Sequence, residues 1–154
     1  MIPPNDSETH YLPPGIHLAD SLQEVVARFG YSPERKKMLC KLKDAISILK
    51  DFGCKRIFLD GSFLRDDKPV PGDYDVVWDD AGLDLDECYK MCFTFFKFDN
   101  KRALQKKEFL GEFFRAGLIN ADNGKTFLDT FQQDDRPKSR TLSKGIVEIN
   151  IDNL

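Results

Sequence analysis

No apolar run in this 154-residue chain approaches the roughly 20 residues that a membrane-spanning helix needs, so a helical membrane protein is not expected. The opening stretch MIPPNDSETHYLPPG lacks the basic start and apolar middle of a secretory signal. A cytoplasmic location with reduced thiols is therefore expected. Positive charge is not in excess either: 23 Lys and Arg stand against 26 Asp and Glu, a formal net charge of −3. That balance argues against a broad electrostatic footprint for nucleic acid, although a local patch survives it. Histidine is scarce, with only His10 and His17, and no Cys-x-x-Cys occurs among the four cysteines. Cys88 and Cys92 would share a helical face, but neither histidine lies near them in sequence. The cysteines read as structural rather than metal-binding.

What the chain does have is phenylalanine, 13 residues of it, within a 41% hydrophobic and 32% charged composition. Such a composition belongs to a globular protein with an aromatic-rich core, and the length fits one domain. Residues 1–15 hold Pro3, Pro4, Pro13 and Pro14 and read as an extended arm, leaving 16–154 as a single domain. Ser21 with Glu24 fits a capping box ahead of a short helix bearing Leu22, Val25, Val26 and Phe29 and closed by Gly30. Ser32 and Pro33 open the clearest helix, with Met38, Leu39, Leu42, Ala45, Ile46, Leu49 and Phe52 at helical spacing and Gly53 ending it. Lys36, Lys37, Lys41, Lys43 and Lys50 occupy its outer side and read as a solvated face.

KRIFLD and DYDVVWD read as strands, separated by a loop rich in Pro, Gly and Asp. A helix is expected from about Asp86, capped by Asp84 or Asp86, and another from Asn100 to about Leu110. FTFFKF between them fits helix or strand equally. TFLDTFQQ is a short helical candidate, and Asp134 to Gly145 reads as a polar loop outside the core. GIVEINID at the end alternates as a strand, with Glu148, Asn150 and Asp152 on one face.

The chemistry concentrates in FLDGSFLRDDKPVPGDYDVVW, Phe58 to Trp78. Asp73 and Asp75 are two residues apart and project to the same side of a strand. Two carboxylates held that close favour a divalent cation, which reverses their repulsion. Gly61 permits close backbone approach to a phosphate, and the Ser62 hydroxyl donates to phosphate oxygens. A helix beginning just after Ser62 would strengthen that anion site. Arg65 and Lys68 are further phosphate partners on the same loop.

LDGSFLRDDKPVPGDYDVVW resembles the signature of the nucleotidyltransferase superfamily, the fold of DNA polymerase beta and of small bacterial nucleotidyltransferases. That signature is an apolar strand, Gly-Ser, about ten residues, and Asp-x-Asp within a second apolar strand. More narrowly, PPGIHLA, RIFLDGSF, GDYDVVW, TFLDTFQ and KGIVEINI resemble a family of small bacterial and phage-borne proteins assigned to that superfamily. The resemblance implies an α/β (α+β) fold: a minimal core with a small mixed, twisted sheet and helices mainly on one face. It also implies Mg²⁺- or Mn²⁺-dependent transfer of a nucleotidyl group from an NTP to an acceptor hydroxyl. Gly61, Ser62, Arg65 and Lys68 would hold the nucleotide, and Asp73 and Asp75 the metal.

Members of the superfamily usually add a third carboxylate from a later strand. Glu148 is the first choice for that metal-binding and catalytic role, with Asp152 and Asp129 behind it. The acceptor implied is a tRNA or other RNA end, or a protein side chain. The setting implied is a toxin–antitoxin or phage-defence module, working as a homodimer or with a partner protein. The competing expectation is a catalytically inactive binding module of the same fold, an antitoxin or regulatory subunit.

Overall fold

The computed structural model describes residues 1–134 and 142–154. In chain order the elements are β1 (Gly15–Ala19), α1 (Leu22–Phe29), α2 (Pro33–Phe52), β2 (Ile57–Asp60), β3 (Tyr74–Trp78), α3 (Leu85–Met91), α4 (Asp99–Phe109), β4 (Gly111–Arg115), α5 (Phe127–Thr130), β5 (Gln133–Asp134), β6 (Leu142–Ser143) and β7 (Gly145–Ile149). Single 3-10 turns follow β2, at Ser62–Leu64, and α3, at Phe93–Phe96. Five strands form one mixed sheet in the order β1-β7-β2-β3-β4, while β5 and β6 pair separately. β2 runs antiparallel to both neighbours, and the edge pairs β1–β7 and β3–β4 are parallel. This is the α/β mixed sheet that the sequence predicts.

Alternation along the strands gives the sheet two unlike faces. Ile57, Leu59, Tyr74, Val76, Trp78, Phe113, Val147 and Ile149 point to one side and join the main core with the buried stripe of α2. Ser32 caps α2 by accepting the Arg35 N–H, and Gly53 closes it in the left-handed conformation at φ 94°. Each Leu or Ile buried from α2 contributes about 1.5–3 kcal/mol, so this helix dominates the stability of the domain. Phe58, Val77, Phe114 and Ile146 point the other way and form a smaller cluster, partly covered by Phe127, Leu128 and Phe131. Helices thus pack mainly on one face, and the second face stays partly open.

Ile2, Tyr11 and Leu12 are buried, so the proline-rich arm is draped on the domain. FTFFKF resolves as the 3-10 turn rather than a longer helix or strand. The helix expected from Asn100 begins at Asp99, and Asn100, Lys101 and Arg102 adopt left-handed angles with φ of 50°, 54° and 58°. Each such residue costs about 1–2 kcal/mol relative to right-handed helix. Of the loop expected at Asp134 to Gly145, residues 135–141 lie outside the described residues; Leu142, Ser143 and Gly145 lie in strands. All four cysteines are free, with Cys54 and Cys88 buried. Among the described residues no helix is long and apolar enough to cross a membrane.

Candidate functional site

Strand register brings the acids together. Asp60 on β2 pairs with Asp75 on β3, and Asp75 pairs with Glu112 on β4. Residues directly opposite in a sheet share a face, so the three carboxylates form one row across three adjacent strands. The row lies on the open face, at the end where β2 finishes and β3 and β4 begin. Asp73 immediately precedes β3 and adds a fourth acid, lying in the electrostatic field of Glu112, Lys106 and Lys68.

The Asp75 and Glu112 side chains lie side by side across the β3–β4 pair, close enough to interact directly. Two ionised carboxylates so close repel one another. Burial first, then the negative charges of Glu112 and Asp73, push Asp75 well above the usual carboxylate range. Asp73 is raised as well, by burial and then by Glu112. Lys106 reaches Glu112 at 2.9 Å, and Lys144, buried at the start of β7, lies in the field of Asp75 and Asp60. Arg102 sits 4.0 Å over the Phe114 ring and in the field of Glu112 and Asp75.

Gly61 turns the chain out of β2 at φ 82° and ψ −168°, a conformation open essentially to glycine alone. A Cβ there would also collide with the Asp75 carboxylate. One residue thus explains the glycine of the Gly-Ser pair: it lets the strand end close against the acid. Ser62, Arg65, Asp67 and Lys68 then line a cavity of about 270 Å³ beside the acid row. Lys68 Nζ donates to Ser62 Oγ at 3.4 Å. Arg65 is bound bidentately to Asp67, at 2.8 and 2.7 Å, so part of its charge is already compensated. The helix expected after Ser62 is only a single 3-10 turn, and no helix terminus reinforces this cavity.

A protein-family profile matches residues 3–150. The chain belongs to the DUF6932 family. That family is described as one of unknown function, and no curated protein and no solved structure matches the chain. The reading of this DUF6932 site therefore rests on its own geometry.

Gly61, Ser62, Lys68, Asp73 and Asp75 come together as the sequence spacing implies, and Arg65 joins them with its charge shared. Glu148 does not join the acid row. It shares the open face but lies opposite Phe58, one row away and two strands across from Asp75. Strand spacing puts that separation at roughly 12 Å between backbones. Its carboxylate is held bidentately by Arg56 at 2.8 and 2.9 Å instead. Asp152 is exposed in the turn after β7, and Asp129 lies in the first turn of α5 beside a separate cavity of about 400 Å³. Glu112 is the third carboxylate of the group, supplied by β4, a strand that the sequence reading passed over. GEFFR, which opens on Gly111 and carries Phe113 and Phe114, held the signal.

The residues present fit a hard cation. Carboxylate oxygens are the donors that Mg²⁺ and Mn²⁺ take, and the Asp75–Glu112 contact is repulsive unless a proton or cation lies between the two groups. Among the described residues the one trio with ligand atoms all within 4.8 Å of each other is elsewhere, at half-buried His10 and exposed Asp66 and Asp67. That trio ties the arm to the Gly-Ser loop, with His10 Nδ1 2.9 Å from Asp66. Among the described residues Asp60, Asp73, Asp75 and Glu112 do not make such a trio.

Proposed function

We propose that this protein is a nucleotidyltransferase that moves a nucleotidyl group from an NTP to an acceptor hydroxyl. The acid row at the end of β2, β3 and β4 would be its catalytic centre. The observation that carries this reading is the Asp75–Glu112 carboxyl contact set against the Gly61–Ser62 turn. It sets the acid row next to the Gly-Ser turn, whose loop lines a cavity of about 270 Å³ with Ser62, Arg65, Asp67 and Lys68.

In this reading Asp73, Asp75 and Glu112 hold Mg²⁺ or Mn²⁺. Bound there, the cation offsets the carboxylates' repulsion and neutralises charge that builds up on a triphosphate. The protein's own groups do the rest. The Ser62 hydroxyl and the Lys68 ammonium donate to the outer phosphate oxygens, and the Gly61 turn allows the backbone to approach them. Glu112, on the β4 edge of the row, is the carboxylate placed to accept the proton of the attacking hydroxyl. Arg102 flanks the same edge and is available to an anionic acceptor such as a tRNA or other RNA end. A protein side chain is the other acceptor class, within a toxin–antitoxin or phage-defence setting.

The second reading, a catalytically inactive module of the same fold, drew its support from the want of a third carboxylate on β7. Glu112 removes that objection, and the enzyme is the reading we favour.

The test is incubation with each labelled NTP, Mg²⁺ and total RNA or cell lysate. Transfer of label should appear with wild type and fall by at least about 100-fold in Asp75→Asn and in Glu112→Gln. NTP binding without transfer in any mixture would select the inactive module. Full transfer in Glu112→Gln would refute the assignment of the third carboxylate.

A further inference from the structure

Asp60 is the one acid of the group that neither the Asp-x-Asp spacing nor the need for a third carboxylate explains. It is fully buried, at 0% exposure, and both of its carboxyl oxygens lack a hydrogen-bond partner among the described residues. Buried polar atoms without partners are rare, and each has a cause such as a bound ion. The fold gives no reason for an acid here. Phe58, two residues earlier on the same face, is apolar, and the chain of β7 alongside carries Ile146 and Val147. A buried, unpaired carboxylate costs several kcal/mol relative to an apolar residue of similar size.

The charges around Asp60 show where its oxygens are needed. Asp75 faces it from β3 as its strand partner, and Lys144 faces it from the start of β7. Asp75 is thus flanked on both sides: Glu112 on the β4 side and Asp60 on the β2 side. The Gly61 turn, which follows Asp60 directly, presses against the Asp75 carboxylate and holds it in the middle of the row. Lys106 is engaged by Glu112 at 2.9 Å and Arg102 lies on the β4 side, so among the described residues Lys144 is the one cation named around Asp60 itself. That ammonium also lies in the field of half-buried Asp75, so Asp60 does not have it to itself.

We propose that Asp60 is a further cation-holding residue of this site, supplying carboxylate oxygens to a divalent cation from the β2 side of Asp75. The proposal rests on the cation-binding reading above and adds a residue to it. It makes the Asp of Leu-Asp-Gly-Ser part of the working motif rather than a strand-end accident. It also gives the site donor groups from three strands, which fixes the cation laterally across the sheet.

The experiment is titration of the protein with Mn²⁺ alone, followed by loss of the free-ion electron paramagnetic resonance signal, alongside melting of the metal-free protein. Asp60→Asn, Asp60→Ser and Asp75→Asn are compared with wild type. The expected result is an Mn²⁺ dissociation constant raised at least about tenfold in both Asp60 variants, with metal-free melting temperatures equal to or above wild type. A residue serving only the fold would lower the melting temperature and leave Mn²⁺ affinity alone. Unchanged affinity in the Asp60 variants, with Asp75→Asn losing Mn²⁺, overturns this proposal and leaves the earlier reading standing. Failure of both Asp60 variants to fold without metal would overturn it too, since the carboxylate would then serve the fold. A wild-type protein that takes up no Mn²⁺ overturns both readings.

Discussion

Replacing Arg35 tests how the Gly-Ser loop is held. Arg35 is fully buried at 0% exposure near the start of α2. Its Nε donates to Lys68 O at 2.8 Å, Nη1 to Phe63 O at 2.7 Å and Phe29 O at 3.1 Å, and Nη2 to Arg65 O at 3.1 Å. The guanidinium is sandwiched between the rings of Tyr31 and Phe63, at 4.2 and 4.5 Å. Among the described residues no carboxylate bonds to it; three of its partners are carbonyls of the loop that carries Ser62, Arg65 and Lys68, and the fourth is Phe29 O at the end of α1. Arg35→Met keeps most of the packing volume and removes every one of these donors. Hydrogen bonds to a charged group are worth about 1.5–3 kcal/mol each. The sum overstates the loss, because Met needs no desolvated charge and Arg65 O keeps its bond from the Tyr31 hydroxyl at 2.8 Å.

A net loss of about 3 kcal/mol is expected, which at this chain length lowers the melting temperature by about 6–12 °C. Urea denaturation should show the midpoint falling with the slope unchanged. Arg35→Lys should recover less than half of the loss, because a point ammonium cannot reproduce a planar fork. The loop effect is separable: Arg35→Met should weaken NTP binding while leaving Mn²⁺ affinity near wild type, since Asp75 and Glu112 sit on strands. A stability change under about 1 kcal/mol would refute the claim that Arg35 organises the loop.

Other expectations follow from the same geometry. Gly61→Ala should cost about 2–4 kcal/mol in denaturant melts and abolish Mn²⁺ uptake, because it forces both a strained φ and a clash with Asp75. Glu148→Ala removes a half-exposed pair with Arg56, so it should cost at most about 1 kcal/mol and leave nucleotidyl transfer unchanged. Loss of transfer in that variant would return Glu148 to the catalytic set. Asp60, Asp73 and Asp75 are all raised by burial, so the folded protein binds more protons than the unfolded chain above the ordinary carboxylate range. The contribution of these groups to metal-free stability should therefore decline as pH rises from about 4 toward neutrality, and Mg²⁺ should restore it. Melting temperatures measured across pH with and without Mg²⁺ check the sign; a neutral Asp75→Asn variant should flatten the curve.

Much of this was legible in the chain. The α2 caps, the β2 and β3 strands and the Gly-Ser to Asp-x-Asp spacing all depend on local sequence, and local rules read them well. β4 was missed because GEFFR is short and follows a lysine-rich helix with no clear stop. Leu110 ends that helix in the left-handed conformation, at φ 61°, where a glycine would have marked it. Missing β4 meant missing Glu112, and the third carboxylate was then sought on β7 because that strand alternates more visibly. Whether Glu148 or Glu112 meets Asp75 is a question of strand order and register, which alternation within one strand cannot answer. Asp60 escaped for a different reason: in IFLD it looks like a polar strand end, and only its complete burial without partners shows otherwise.

The division of the sheet into two faces explains how the fold carries such a costly row. The face toward α2 is apolar along its strands and continuous with the main core, so stability is secured there. The opposite face has only a four-residue buried cluster, and the acid row begins where that cluster ends. Three adjacent carboxylates at strand ends, one wholly and two partly buried, work against folding unless something binds between them. Substitutions that neutralise the row should accordingly raise metal-free stability while removing cation binding, the opposite of what core substitutions do. That inverse relation across Asp60→Asn, Asp75→Asn and Glu112→Gln separates residues retained for binding from residues retained for the fold. It can be read from melting curves alone, before any acceptor is known.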